Sequence, residues 1–129
     1  MNQAKPPIKN FTDLTSWQEA HKLVLFIYSI SKKFPKEEQF GLTSQLRRAA
    51  ISITSNIAEG FSRNSFREKA QFYSVALGSL TEAENQLLLA RDLKYIDDSE
   101  HKQVTTQTIF INKLVNGLIR KSRSFIHDS

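Results

Sequence analysis

The chain contains no cysteine. Neither a disulfide framework nor a thiolate metal site is therefore available, and a reducing, cytoplasmic setting is the expectation. Glycine and proline are scarce, at four and three of 129 residues, and no period-two alternation persists along the chain, which argues against a turn-rich β fold. Long hydrophobic runs are also missing. The longest, Leu23 to Tyr28, is far short of a membrane span. The opening residues MNQAKPPIKN lack the apolar core of a secretory signal. What remains is one all-helical domain, long enough for a single core.

What the chain does have is organised around Thr43 to Gly60, TSQLRRAAISITSNIAEG. Leu46, Ala49, Ala50, Ile53 and Ile57 recur at three- and four-residue steps and so share one helical face. Gln45, Arg48, Ser52, Asn56 and Glu59 form a second, polar stripe beside it. Small residues crowd the whole surface. Such a helix is suited to the centre of a bundle with neighbours on more than one side. Gly60 is the expected stop, since glycine tolerates the left-handed turn past a helix end.

Around this stretch the sequence predicts a flexible lead over 1–12 and a bundle over 13–129. A first helix runs from about Trp17 to Lys33, with Ser16 and Glu19 at capping-box spacing and Pro35 beyond its end. His21 lies beside its apolar face, where a half-buried structural histidine is the simplest reading. The third helix begins at Ser65 and Glu68, again a capping-box pair, and reaches about Lys94. Gly78 lies inside it, which suggests close approach of a neighbouring backbone. Asp97 and Glu100 open a fourth helix, from about Asp98 to Ser122, with Phe125 beyond it. Short links between four helices point to up-down-up-down order.

QLRRAAISITSNIAEG, preceded by FPKEEQFGL and DLTSWQEAHKLVLFIY, resembles the bacterial four-helix-bundle family found in intervening sequences of 23S ribosomal RNA genes. That family is similar in turn to the accessory protein of diversity-generating retroelements. The resemblance runs from about Asp13 to Ile96. It implies an antiparallel four-helix bundle assembled into a homopentameric ring, and function only loosely.

Chemistry of the usual kinds finds little support. A bundle di-iron site needs Glu-x-x-His on two helices, and this motif is absent; the three histidines at 21, 101 and 127 share no helical turn. No metal or cofactor is expected. No nucleophile elbow or phosphate-cradling glycine loop is present. One weak pattern survives. Small helical ribonucleases of the HEPN class carry an Arg followed closely by a His near a bundle end, and Arg120 and His127 are spaced similarly. There Arg120 would hold phosphate and His127 would move a proton.

Charge is the stronger signal. Net charge is +5, and from His101 to His127 there are five Lys and Arg residues with no Asp or Glu. The simple reading matches acids to a helix start and bases to its end. Arg63, Arg67 and Lys69 form a second basic group, interleaved with Phe61 and Phe66. Charge for phosphates with rings for stacking is what single-stranded nucleic acid favours, although Phe66 also suits an apolar staple. The polar stripe Arg48, Ser52, Asn56 and Glu59 is expected to bond the third helix or a neighbouring subunit, with Glu82 and Glu84 as partners for Arg47 or Arg48.

The resulting expectation is a non-enzymatic, oligomeric scaffold binding structured RNA, or a nucleic-acid–protein complex, through Arg63, Arg67, Lys69, Arg120, Lys121 and Arg123. In a ring of five, a moderate patch becomes a continuous basic rim. The alternatives are a protein-interaction module docking a polymerase or another acidic partner, and the metal-independent ribonuclease. Salt-sensitive RNA binding separates the first from the second. Cleavage dependent on His127 marks the third.

Overall fold

The computed structural model describes residues 6–126. Four helices account for most of them: α1 Thr15–Ser31, α2 Leu42–Ser62, α3 Phe66–Asp92 and α4 Asp98–Ser124. Two short 3-10 turns, Phe11–Asp13 and Lys36–Glu38, precede α1 and α2. There is no strand among the described residues.

One core runs through all four helices. Leu23 and Ile27 of α1, Leu46, Ile53 and Ile57 of α2, Leu80 and Leu87 of α3, and Val104, Ile111 and Val115 of α4 are fully enclosed or nearly so. These are the positions the three- and four-residue spacing selects. α2 packs most extensively against α3 and also against α1; α4 joins α3 to α1. Each helix therefore has two principal neighbours. As expected, α2 has neighbours on more than one side, and its small residues suit it to that place. They bring it close to α3, whose facing residues Ala76 and Ala83 are equally small and have no exposed surface.

The closest approach falls at Gly60. It continues the helix rather than ending it: α2 runs on to Ser62, and no glycine has positive φ. A β-carbon at Gly60 would lie 2.6 Å from the Tyr73 ring and 3.2 Å from the Phe72 β-carbon. Tyr73 itself is buried and cannot swing away. The close approach expected at Gly78 is absent, since that position faces open space. The α2 terminus is closed instead by Lys69, whose Nζ donates to the Phe61 carbonyl at 2.6 Å and lies 3.4 Å from that of Gly60. A helix leaves its last carbonyls without partners, and the ammonium supplies one.

Helix starts follow the sequence where a side chain could cap without being needed in the core. Asp97 and Glu100 make a complete capping box at α4, and Ser65 accepts from the Glu68 amide at 3.1 Å. The expected cap at Ser16 does not form. Ser16 is buried one residue into α1, Leu14 is the N-cap without a side-chain bond, and a capping box forms earlier, between Asn10 and Asp13. Phe11 sits edge-on to Trp17 at 5.4 Å, and His21 stacks on the other side of that ring at 4.6 Å. α3 ends at Asp92 with Lys94 in the left-handed region at φ 66°. The Tyr95 amide bonds the Ala90 carbonyl and the Lys94 amide that of Arg91, each at 2.9 Å. This is the Schellman closure, here with lysine where glycine is usual.

Long-range polar contacts tie the links together. The Tyr95 hydroxyl donates to the Glu38 carboxylate at 2.9 Å, whose other oxygen accepts from the Leu42 amide. Phe34 packs on the Tyr95 ring at 5.4 Å, and Lys33 pairs with Glu100. The Glu38 hydrogen bond holds the Tyr95 hydroxyl above its ordinary pKa.

Gly60→Ala is expected to destabilise the fold by about 1–3 kcal/mol through overpacking. Gly78→Ala is expected to stabilise it by up to about 1 kcal/mol, from helix propensity alone. Denaturant midpoints of the two variants check both. The folded chain retains the Tyr95 proton to higher pH than the unfolded chain does, so stability falls as pH rises through and above about 10. Tyr95→Phe is expected to be less stable near neutral pH and to flatten part of that alkaline loss, measured by urea unfolding across the pH range.

Candidate nucleic-acid interface

Two basic segments meet at one end of the fold. The α2–α3 link is only Arg63 to Ser65, so Arg63, Arg67 and Lys69 lie close to the turn. Arg120, Lys121 and Arg123 occupy the last turns of α4. The rings of Phe66 and Phe125 join the two segments, with centroids 4.8 Å apart and planes tilted by 31°.

Two hollows lie at this end. One, of about 450 Å³, has Arg67 and Arg123 on its walls, with Ala70, Val75 and Ile126. The other, of about 220 Å³, has Lys69 and Lys121 on its walls and a floor of Phe61, Phe66, Tyr73, Leu118 and Phe125. Four of the six expected cations therefore line hollows at this end, and Lys69 and Lys121 share theirs with the ring pair. Arg120 lines neither hollow. Arg63 lies to one side, pairing with Glu59 at 2.8 Å and covering the Phe72 ring at 4.6 Å.

The six cations are not equivalent. Lys69 is engaged with α2 carbonyls, its ammonium lies 5.4 Å from the Phe61 ring, and desolvation lowers its pKa. It builds the end of the fold rather than its outer charge. Lys121 and Arg123 are exposed and make no ion pair with a described residue. Their position in the last turn also complements the α4 dipole. The nearest α3 carboxylate, Glu68, turns back to accept from the Ser65 hydroxyl at 3.1 Å.

The polar stripe of α2 divides into separate parts. Ser52 meets Ser79 of α3 at 2.7 Å, and Asn56 donates to the Ser52 carbonyl and hydroxyl at 2.8 and 3.0 Å. Glu59 serves Arg63, just past the end of the same helix. Arg48 is exposed and apart from this network. The expected pairing with Glu82 or Glu84 does not form for Arg47. It reaches back to α1, bonding the Ser31 hydroxyl at 2.9 Å and covering the Tyr28 ring at 4.5 Å. Arg47 flanks the side of α2 that packs on α1, whereas Glu82 and Glu84 lie on α3, with Glu82 bonded to Gln86.

Sequence reasoning missed Tyr73, Leu118 and Ile8 at this end. Tyr73 and Leu118 carried a signal only as core-stripe residues, and Ile8 carried none. His127, the second half of the Arg120 pattern, lies outside the described residues. Among the described residues, no three His, Asp or Glu side chains gather as a metal site would require, and no helix is long and apolar enough to cross a membrane.

Comparison with known proteins bears on the same segments. No curated protein matches the chain. A crystal structure of a protein of unknown function from the S23 ribosomal protein family of Bacteroides thetaiotaomicron superposes with a TM-score of 0.75. The match is 23% identical and covers 81% of this chain and 98% of that one, a likeness of fold. The family model for the 23S rRNA-intervening sequence protein matches residues 12–117. That span takes in all of α1, α2 and α3 and most of α4, and the chain belongs to the 23S rRNA-intervening sequence protein family.

Proposed function

We propose that this protein is a non-enzymatic, cytoplasmic scaffold that assembles as a homopentameric ring and binds structured RNA through the basic end of each bundle. The observation that carries the reading is the gathering at one end of the fold of two hollows, one with Arg67 and Arg123 on its walls and the other with Lys121 beside the Phe66–Phe125 pair. Lysine and arginine at such a rim neutralise phosphates and release counterions, so binding is salt-sensitive and only weakly sequence-selective. The family name, with its link to ribosomal RNA, is consistent with that partner.

Up-down-up-down order belongs to the same reading. It is supported by the Glu38–Tyr95 bond, which ties the α1–α2 link to the α3–α4 link. Phe66–Phe125 ties the α2–α3 link to the far end of α4. Self-association is favoured by apolar side chains left outside the core, among them Phe40 at 89% exposure and Leu25 at 58%. Repetition of a modest basic site around a ring raises avidity without any new contact.

The test is binding to a structured RNA across a salt series, with mass measured in the same preparation. The expected result is a mass near five chains, a log-log salt slope of several units, and RNA recovered intact. Lys121→Glu with Arg123→Glu is expected to weaken binding about tenfold or more at low salt and to lower the slope by about 1 per lost phosphate contact. No binding at low salt would overturn the RNA reading and leave docking to an acidic protein in its place.

A further inference from the structure

The hollow beside the ring pair has a feature that phosphate binding does not use. Its floor is hydrocarbon, mostly aromatic, and it opens to solvent at a charged rim. Phe66 is 40% exposed and Phe125 is 45% exposed, although each covers part of the other. Ile8 adds a third open apolar side chain to the wall, at 51% exposure. Tyr73, which lines the same hollow, is by contrast enclosed.

From this we infer that the hollow bounded by Phe61, Phe66, Lys121 and Phe125 takes an unpaired RNA base, which stacks on the exposed ring faces while its flanking phosphates meet Lys121 and Arg123. The inference rests on the RNA reading above and specifies which part of an RNA is held. Three observations favour this occupant. Both rings line the hollow and are partly exposed, and every base has a π face that can stack on an aromatic ring. Lys121 lines the same hollow as the rings, and Arg123 lies two residues further along the chain, so a phosphate next to an inserted base would have a cation to meet. The volume, about 220 Å³, is small: it suits one planar ring system and not the edge of a helix. A base held in a duplex is already stacked between its neighbours and cannot enter. Loops, bulges and ends can.

Few hydrogen-bonding groups face the hollow. Lys69 is engaged with α2 carbonyls, which leaves chiefly Lys121, Ser122 and the Tyr73 hydroxyl. Selection is therefore for an unpaired nucleotide rather than for a particular base.

The test uses the full chain and two RNAs of matched length at one salt concentration. One is a hairpin with 2-aminopurine in its loop; the other is a blunt duplex. Wild type is expected to prefer the hairpin and to change the 2-aminopurine emission on binding, as a stacked base does. Phe66→Leu with Phe125→Leu keeps the apolar surface and removes the π faces. It is expected to lose about five- to hundredfold in hairpin affinity, with duplex affinity unchanged and thermal midpoint near that of wild type. If that variant unfolds, Phe125→Leu alone, at the exposed end of α4, serves in its place. Hairpin affinity that survives the substitution, or falls equally for hairpin and duplex, would overturn the base site while leaving phosphate binding intact. Failure of wild type to bind either RNA at low salt would remove both readings together.

Discussion

The contact on which the rest depends is the seating of the α2 backbone against Tyr73 at Gly60. With no β-carbon there, α2 can rest on the ring; a methyl group would stand 2.6 Å from it. That approach sets the separation of α2 and α3 where the chain turns from one into the other. It brings the Gly60 and Phe61 carbonyls within reach of Lys69 and places Phe66 at the start of α3, beside Phe125. Further along the same interface, Ala76 and Ala83 keep the two helices close, and Ser52 and Ser79 add one polar bridge within hydrocarbon. A polar pair of this kind favours one register, because sliding either helix by a turn would take the buried Ser79 hydroxyl away from its Ser52 partner.

The two groups of links differ in chemistry. Where the α1–α2 and α3–α4 links meet, charges are matched. Glu38 takes a tyrosine hydroxyl and a backbone amide, Glu100 takes Lys33 and caps α4, and Arg91 pairs with Asp92. Where the α2–α3 link meets the end of α4, the carboxylates Glu59 and Glu68 are held by Arg63 and Ser65, and Lys121 and Arg123 remain at the surface. The two ends thus differ in charge: carboxylates and cations pair at one, and Lys121 and Arg123 stay exposed at the other.

Much of this was legible in the residues. The core stripes of all four helices follow from spacing alone, because a face that repeats at three and four residues must be buried together. Asp97 with Glu100 and Ser65 with Glu68 were readable as helix starts because their caps are local. Ser16 failed as a cap for a non-local reason: the position is needed inside the packing of α1, and Asn10 and Asp13 capped a turn upstream. The close approach expected at Gly78 falls at Gly60 for the same kind of reason. Both stand in helical patterns, and only the position of Tyr73 decides which of them has a neighbour. Arg47 was assigned to the wrong helix because an arginine beside a core stripe can turn either way.

The sequence by itself determined the helical class, the four segments, the buried faces and the two basic groups, since each depends on residues a few positions apart along one chain. Tertiary structure decided what those groups are worth. Lys121 and Phe66 are 55 positions apart in the sequence, yet they line one hollow, while Lys69, in the basic group around Phe66, is drawn inward to close a helix end. Charge and composition are one-dimensional properties. Whether a cation caps a carbonyl or faces solvent depends on which backbone lies within about 3 Å of it, and only the packed fold sets that distance.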